Sequence, residues 1–459
     1  MIRAFFVLLL IGLSDSDPLA ASEVPLQLAT FRVDATPPLG SPLCYGNVKP
    51  AMEIVSPLTA RGVILVGADK PIVLCAFDWV GICNESYDTF RETVAMSVGT
   101  TANRVVVHSL HQHDAPGSDF AIERLLAEHG LAREFSDPDF NADVFDRVAK
   151  AAAESLKSAQ PVTHVGLGAC VVERVASNRR ILGPDGKVAL QRQSSGGRNP
   201  AAAAAPEGTI DPLVRLVAFW NGDKPLAVLT YYATHPQSYY GKGGVNWDFV
   251  GMAREERIKA LDGLPHVHFD GASGNVAAGK YNDGNPERRP ELAGRLASGM
   301  KLAWETQTKK PLRAEDVAWA VRPVSLPVRE TLVEAELAAK LKDEKQTLTV
   351  RNRAARDLVF LRRMQAGHQI PLSCLKLSSA SILHMPGELF VEYQLAAQQL
   401  HPDAFVAMAA YGDCGPGYIG TEIAYGQGGY ETGIVSRVAP SVEHVLLAAI
   451  KELLGETQQ

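Results

Sequence analysis

Residues 60–110 set three apolar runs against one stretch of a different period. ARGVILVG (60–67), PIVLCAFDWV (71–80) and RVVVHSL (104–110) are short, rich in β-branched residues and of strand length. Between the second and third, ESYDTFRETVAMSVG (85–99) has helical spacing. Upstream, ATFRVDATPPLGSP (29–42) reads as a strand followed by a Pro/Gly turn. Downstream, FNADVFDRVAKAAAESLKSA (140–159) puts Phe140, Val144, Val148 and Ala152 on one helical face. DPLVRLVAFWNGDKPLAVLTYYATH (211–235) predicts a strand pair, with Asn221–Gly222 as its hairpin turn.

The pattern continues with PERRPELAGRLASGMKLAWE (286–305), a helix with Leu292, Leu296 and Met300 in register, and VAWAVRPVSLPV (317–328), an extended run. Residues 331–366 are charge-rich and helical, and predict a solvated helical hairpin, a lid or a surface insertion rather than core. PSVEHVLLAAIKELLG (440–455) predicts a helix, and SSGGRNPAAAAAPEG (194–208) a loop by composition. No internal repeat is visible in the sequence. Strands alternating with helices predict an α/β fold, a mixed β-sheet core flanked by helices in one large domain over residues 22–459.

Composition narrows the function classes. The chain has 459 residues, 46% of them hydrophobic and 21% charged, with a formal net charge of −6. That balance fits a globular enzyme and lacks the clustered Lys/Arg footprint of a nucleic-acid binder. The opening MIRAFFVLLLIGL, followed by DPLAAS, has the charge, apolar run and small residues of a secretory signal over residues 1–21. No later stretch is apolar enough to span a membrane. The expected mature protein is exported, to the periplasm, the cell surface or the medium. Export makes disulfides possible among Cys44, Cys75, Cys83, Cys170, Cys374 and Cys414, although Cys75 and Cys170 sit in apolar runs that also suit buried thiols.

Three of the 12 histidines fall within six positions in VVVHSLHQHDAPGS (105–118). On an extended chain His111 and His113 share a face, so an HxH pair leaves this strand end. LAVLTYYATHPQ ends a second apolar strand on His235, and SILHMPGELFVEY carries Glu388 after Pro386–Gly387 at a third strand end. Strand ends are where α/β proteins collect chemistry. Two readings stay open: a hydrogen-bonded polar cluster, or a catalytic zinc with three protein ligands and an open position.

Several stretches together resemble the N-terminal domain of the neutral, non-lysosomal ceramidases. LHQHDAPG resembles that family's THTHSGPG, YYATHPQ its FAVHPT, WDFVGMA its GDNKGYA, SNRR its NRSP and MPGEL its PGE turn. YIGTEIAYGQGGYETG resembles YVTTxEEYxxxxYEGG, and FRVDATPP the opening ADITPP. These matches run in family order from about residue 30 to residue 435. The resemblance implies a Zn2+ held by His111, His235, Glu388 and Tyr425, with His113 and Arg179 on the substrate side. Tyr425 is chosen because TEIAY aligns with EEY; Tyr418 and Tyr430 lie close by. It also implies a zinc amidohydrolase acting on an N-acyl lipid or another N-acyl compound through a water nucleophile. His113 would then supply the leaving-group proton, and Arg179 would grip a polar or anionic part of the substrate. Arg180 is expected in a surface ion pair.

Two departures qualify the resemblance. In SGNVAAG (273–279), Asn275 and Ala277 stand where the family's GDVSPN has Asp and Ser; Ser273 lies four positions (277 − 273) before the family's serine. The chain also ends soon after the tyrosine motif, where ceramidases continue into an immunoglobulin-like sandwich. A non-catalytic ligand-binding relative is the alternative, and a zinc esterase or peptidase a third.

Overall fold

The computed structural model describes residues 25–196 and 199–455. The signal segment expected at residues 1–21 lies outside them. The expected mixed sheet is realised, among the described residues, as three larger sheets of five, five and four strands beside five two-stranded pairs, and the three larger sheets share one plan. Three successive antiparallel strands are followed by a helix and a fourth strand parallel to the third. In the first sheet these are Gln27–Asp34, Thr59–Gly67 and Asp69–Phe77, the helix Asn84–Val98, and Val105–Ser109. The second uses His164–Val171, Leu213–Asn221 and Lys224–Tyr232, the helix Asp248–Ala260, and His266–Asp270. The third uses Val317–Val324, Ile370–Leu377 and Ala380–His384, the helix Val391–Leu400, and Phe405–Ala409. The repetition is one of topology. Segments of different length separate the first two strands of each unit, which is why no sequence period exists.

In each sheet the parallel strand is an edge, and the three edges meet at their C-terminal ends. The Ser109 amide donates to the Tyr411 carbonyl at 3.0 Å, and the Ala410 amide to the Asp270 carbonyl at 3.0 Å. His108 Nδ1 donates to the Ala410 carbonyl at 2.7 Å. Backbone groups that an edge strand would leave unpaired are satisfied by the neighbouring sheet. The loops leaving these ends therefore converge on one region, where the candidate residues lie.

Helices cover the outer faces. Phe77 and Trp79 pack against Phe90 of the Asn84–Val98 helix and Phe145 of the Pro138–Ser155 helix, with neighbouring ring centroids 4.9–6.2 Å apart. This cluster anchors the turn after the Asp69–Phe77 strand, whose Val80 carbonyl reaches the site. The Asn221 hairpin closes with a two-residue turn, Gly222–Asp223, because Asn221 itself pairs with Lys224. Within 194–208 there is a short helix, Pro200–Ala204, capped by the Asn199 side chain accepting from Ala201 and Ala202.

The 331–366 insertion differs from expectation. Its helices, Glu334–Lys342 and Leu348–Gln365, are present. They are not a solvated lid. Leu337, Leu341, Ala354, Ala355, Leu358 and Leu361 are buried in the same apolar cluster as Tyr45, Phe135 and Phe390. A stripe at 354, 355, 358 and 361 recurs at helical spacing beneath an outer face dense in charge, and that outer charge hid it in the sequence. Cys75 is buried as expected, whereas Cys170 is half-buried; the described cysteines are all free thiols. No described helix is long and apolar enough to cross a membrane.

Candidate metal centre and its cavity

Each candidate side chain leaves a turn just beyond a strand of the converging ends. His111 follows Val105–Ser109 with φ of 63°, and Tyr411 follows Phe405–Ala409 with φ of 60°. Left-handed backbone at non-glycine residues costs energy and is held here by the surroundings. The His111 amide donates to the Trp79 carbonyl at 2.9 Å, and the Tyr411 amide to the Gly387 carbonyl at 3.0 Å. Gly387 has φ of 63°, and a Cβ there would lie 2.7 Å from the Gly417 carbonyl oxygen; glycine is required for the turn that presents Glu388. His235 is fixed by its own amide, which donates to the Val276 carbonyl at 3.0 Å.

The three imidazoles are oriented alike. His111 Nδ1 faces the Val80 carbonyl, His113 Nδ1 the His111 carbonyl and His235 Nδ1 the Ser273 carbonyl. A carbonyl only accepts, so Nδ1 carries a proton in each ring and Nε2 is the nitrogen turned toward the site. Burial holds His235 well below the ordinary histidine range, with His111 and Arg179 adding to the effect. Burial does the same to His113, with His111 adding to it. Both rings are therefore neutral near pH 7.

Glu388 completes the arrangement. Its Oε2 lies 3.2 Å from His111 Nε2 and 3.6 Å from His235 Nε2. Burial alone would raise its carboxyl, but His111, the Tyr418 hydroxyl and Arg179 outweigh it and leave Glu388 ionised. Both His235 Nε2 and Glu388 Oε2 are buried without a hydrogen-bond partner. Lone pairs converging in this way repel unless a cation sits among them. Two imidazoles and a carboxylate match the donor set of a catalytic zinc site, so the residues fit the metal. His111, His113 and His235 also form a cluster whose ligand atoms lie within 4.8 Å of one another, so a trio of histidines is the competing donor set.

Behind the ligands runs a buried chain. Tyr411 Oη lies 3.1 Å from His235 Nδ1 and 2.7 Å from Ser273 Oγ, and Ser273 Oγ donates to Asp270 Oδ2 at 3.0 Å. Such outer partners set ring tautomer and orientation. Tyr411 also stacks on His111, with centroids 4.7 Å apart. Sequence reasoning missed Tyr411. Its signal was available: AAYGDCG places polar residues at the end of an apolar run, the context that singled out the other three.

The structure separates the two tyrosines. Tyr425 Oη bonds to Ser436 Oγ at 3.0 Å and does not line the cavity of the cluster. Tyr418 stands there instead. Its ring lies 6.1 Å from that of His235 in a parallel stack, and its hydroxyl bonds to Glu388. The reason is local. Tyr418 lies on the short strand Tyr418–Ile419 that pairs with Glu388–Leu389, whereas Tyr425 lies one helix further on.

Arg179 enters from Ser177–Asn178, a short strand paired with Val276–Ala277. Its Nη1 donates to Tyr418 Oη at 3.1 Å, and its Nε lies 3.3 Å from Glu431. Arg180 does not make the surface pair expected of it; its partner Glu431 is fully buried. Ala277 pairs with His235 as an isolated bridge, so the family's serine position lies beside the ligands, without a hydroxyl. Asn275 has a structural role: its Oδ1 accepts from the Val391 amide at 2.9 Å and its Nδ2 donates to Glu392 at 2.8 Å, tying down the Val391–Leu400 helix.

A cavity of about 540 Å³ opens beside the cluster, with His235 set behind its lining. His111, His113, Glu388, Tyr418 and Arg179 line it, with Arg353 and Arg356 of the insertion on another wall.

Comparison with protein-family models finds no match, and neither does comparison with curated proteins. Solved structures do match. A ceramidase complexed with C2 aligns over 94% of this chain and 75% of its own, at TM-score 0.68 and 14% identity. The neutral ceramidase from Pseudomonas aeruginosa aligns over 95% of this chain and 76% of its own, at TM-score 0.66 and 14% identity. At that identity the likeness concerns the fold, and over nearly all of its described length this chain has the fold of the ceramidases.

Proposed function

We propose that this protein hydrolyses N-acyl amides with a zinc ion held by His111, His235 and Glu388. The observation that carries the reading is the convergence of His111, His235 and Glu388 beside a cavity that His111 and Glu388 line, with His235 Nε2 and Glu388 Oε2 buried and lacking a hydrogen-bond partner. The ceramidase fold supports the reaction class. When bound, zinc lowers the pKa of a coordinated water toward about 7 and polarises a carbonyl.

The chain's own residues supply the rest. Ala277 offers no nucleophile, and Ser273 commits its hydroxyl to Asp270 and Tyr411, so water is the nucleophile. His113 is neutral with Nε2 unprotonated, so it first takes a proton from the attacking water. It then returns that proton to the leaving amine, a step worth about 10²–10⁴ in rate. This order refines the expectation of a simple proton donor. Tyr418 accepts from Arg179 and donates to Glu388, so it orients that carboxylate; its proton serves a developing oxyanion only by turning away from Glu388.

Ala277 is also the specific observation favouring a second reading, a relative that binds metal and ligand without turnover. Elemental analysis, a chelator and a panel of N-acyl amides and esters separate the two. Expected are one zinc per chain, its loss in His235→Ala, and amide hydrolysis abolished by chelation and restored by zinc. Stoichiometric zinc retained by His235→Ala would remove the proposed site; zinc without turnover would establish the binder. Export through residues 1–21 belongs to the same proposal, and N-terminal sequencing of the native protein tests it.

A further inference from the structure

The cavity lining is cationic. Its lining holds four guanidinium groups, Arg179, Arg353, Arg356 and Arg437, against one carboxylate, Glu388, in a chain whose net charge is −6. Two of the four are neutralised from behind: Arg179 by Glu431 at 3.3 Å and Arg437 by Asp357 at 2.8 Å. Among the described residues Arg353 has neither an ion pair nor a hydrogen bond; Arg356 has no ion pair within contact distance and lies over the Tyr45 and Phe135 rings, 4.4 and 6.0 Å from their centroids, with Asp357 and Glu388 among the more distant charges that favour its cation. Both come from the Leu348–Gln365 helix. Thr349, Arg353 and Arg356, at i, i+4 and i+7, form the helical face that meets the cavity, while Ala354, Ala355 and Leu358 bury the other face. Bringing unpaired cations toward a site that already fits a divalent ion is unfavourable unless an anion is expected there.

We infer that Arg353 and Arg356 form a subsite for an anionic group, a carboxylate or a phosphate, carried by the substrate away from its scissile amide. The substrate is then an acidic N-acyl compound, such as an N-acyl amino acid or an N-acyl phosphoester, rather than a neutral N-acyl alcohol. Two guanidiniums on one helix face suit an oxyanion, since each presents a planar fork of donors. The inference rests on the amidohydrolase reading for its scissile bond, but the anion subsite is testable without turnover.

Three ligands share one alkyl chain and carry an unreactive ether in place of the amide; they end in a carboxylate, a phosphate or a hydroxyl. Their binding to the full-length protein is measured by calorimetry. An anionic ligand should bind about 10–100-fold more tightly than the alcohol, a preference lost in Arg353→Gln/Arg356→Gln with the affinity for the alcohol unchanged. Whichever anion wins identifies the source. Arg353→Lys/Arg356→Lys, which keeps the charge, should retain part of the preference and guards against misfolding of the first variant. Equal binding of all three ligands, or a preference that survives in the glutamine variant, overturns the subsite. Selective binding without hydrolysis of the matching amide would leave the subsite standing and sink the amidase. Hydrolysis of acidic and neutral amides alike would do the reverse.

Discussion

Single side chains divide the site into holders and workers. Glu388 and His113 both border His111, yet their surroundings differ. Glu388 is an ionised carboxylate facing two lone pairs, while His113 is a neutral base opening on the cavity. Glu388→Ala should therefore lose the metal. His113→Ala should keep it and lose about 10²–10⁴ in rate. Metal content measured beside kcat decides this; the opposite pattern would make the three histidines the ligand set. Tyr418→Phe should lower kcat by about 10²-fold if its hydroxyl meets the oxyanion, whereas Tyr425→Phe, bonded to Ser436, should stay within a few-fold. Comparable losses in both variants would contradict the placement of Tyr418.

At the level of elements, the helical insertion joins core to cavity. One face of Leu348–Gln365 packs under Tyr45 and Phe135, and another carries Thr349, Arg353 and Arg356 to the cavity wall. A detachable lid would tolerate truncation of its inner face. A core helix would not: Leu358 is 1% exposed, so Leu358→Ala should cost about 2–5 kcal/mol. Denaturant unfolding measures the cost, and a loss under 1 kcal/mol would return the hairpin to the surface. The turn around Gly274 makes a second junction. A Cβ there would lie 2.2 Å from the Glu388 carbonyl oxygen, so the segment bearing Ala277 and the segment bearing the ligand touch backbone to backbone.

For the whole molecule, three sheets meeting at their parallel edges bury histidines between them. His108 donates from Nδ1 to the Ala410 carbonyl and accepts at Nε2 from His384 at 3.1 Å, an arrangement that requires a neutral ring. Burial lowers it from 6.5 to about 4, against the opposing effect of the Ala410 bond. The unfolded chain takes up its proton first. Stability from this group is thus complete above pH 6.5 and is lost as pH falls toward about 4, a loss of about 3 kcal/mol across that interval. Unfolding at pH 7 and pH 4.5 should show a steeper decline for the wild type than for His108→Gln. Identical declines would show that His108 is not titrating at the sheet junction.

The sequence by itself determined the local elements and the positions of most donors. Apolar periodicity marks the long strands and helices, because a half-buried element must repeat its apolar face. His111, His235 and Glu388 were legible because each follows an apolar run, and the chain must turn there. HVHFD (266–270) was not read as a strand, because its polar side chains are satisfied by a polar residue of the neighbouring strand, as His266 and His268 are in sharing Thr230. The threefold plan stayed hidden because hydrogen-bond topology leaves no sequence period. Tertiary structure alone decided that Tyr418, and not Tyr425, meets Glu388, since strand pairing brings together residues 30 positions (418 − 388) apart. It alone placed Arg353 and Arg356 on the same cavity as the donors: in sequence they are two more charges on a charged helix, and only packing shows which face of that helix is turned inward.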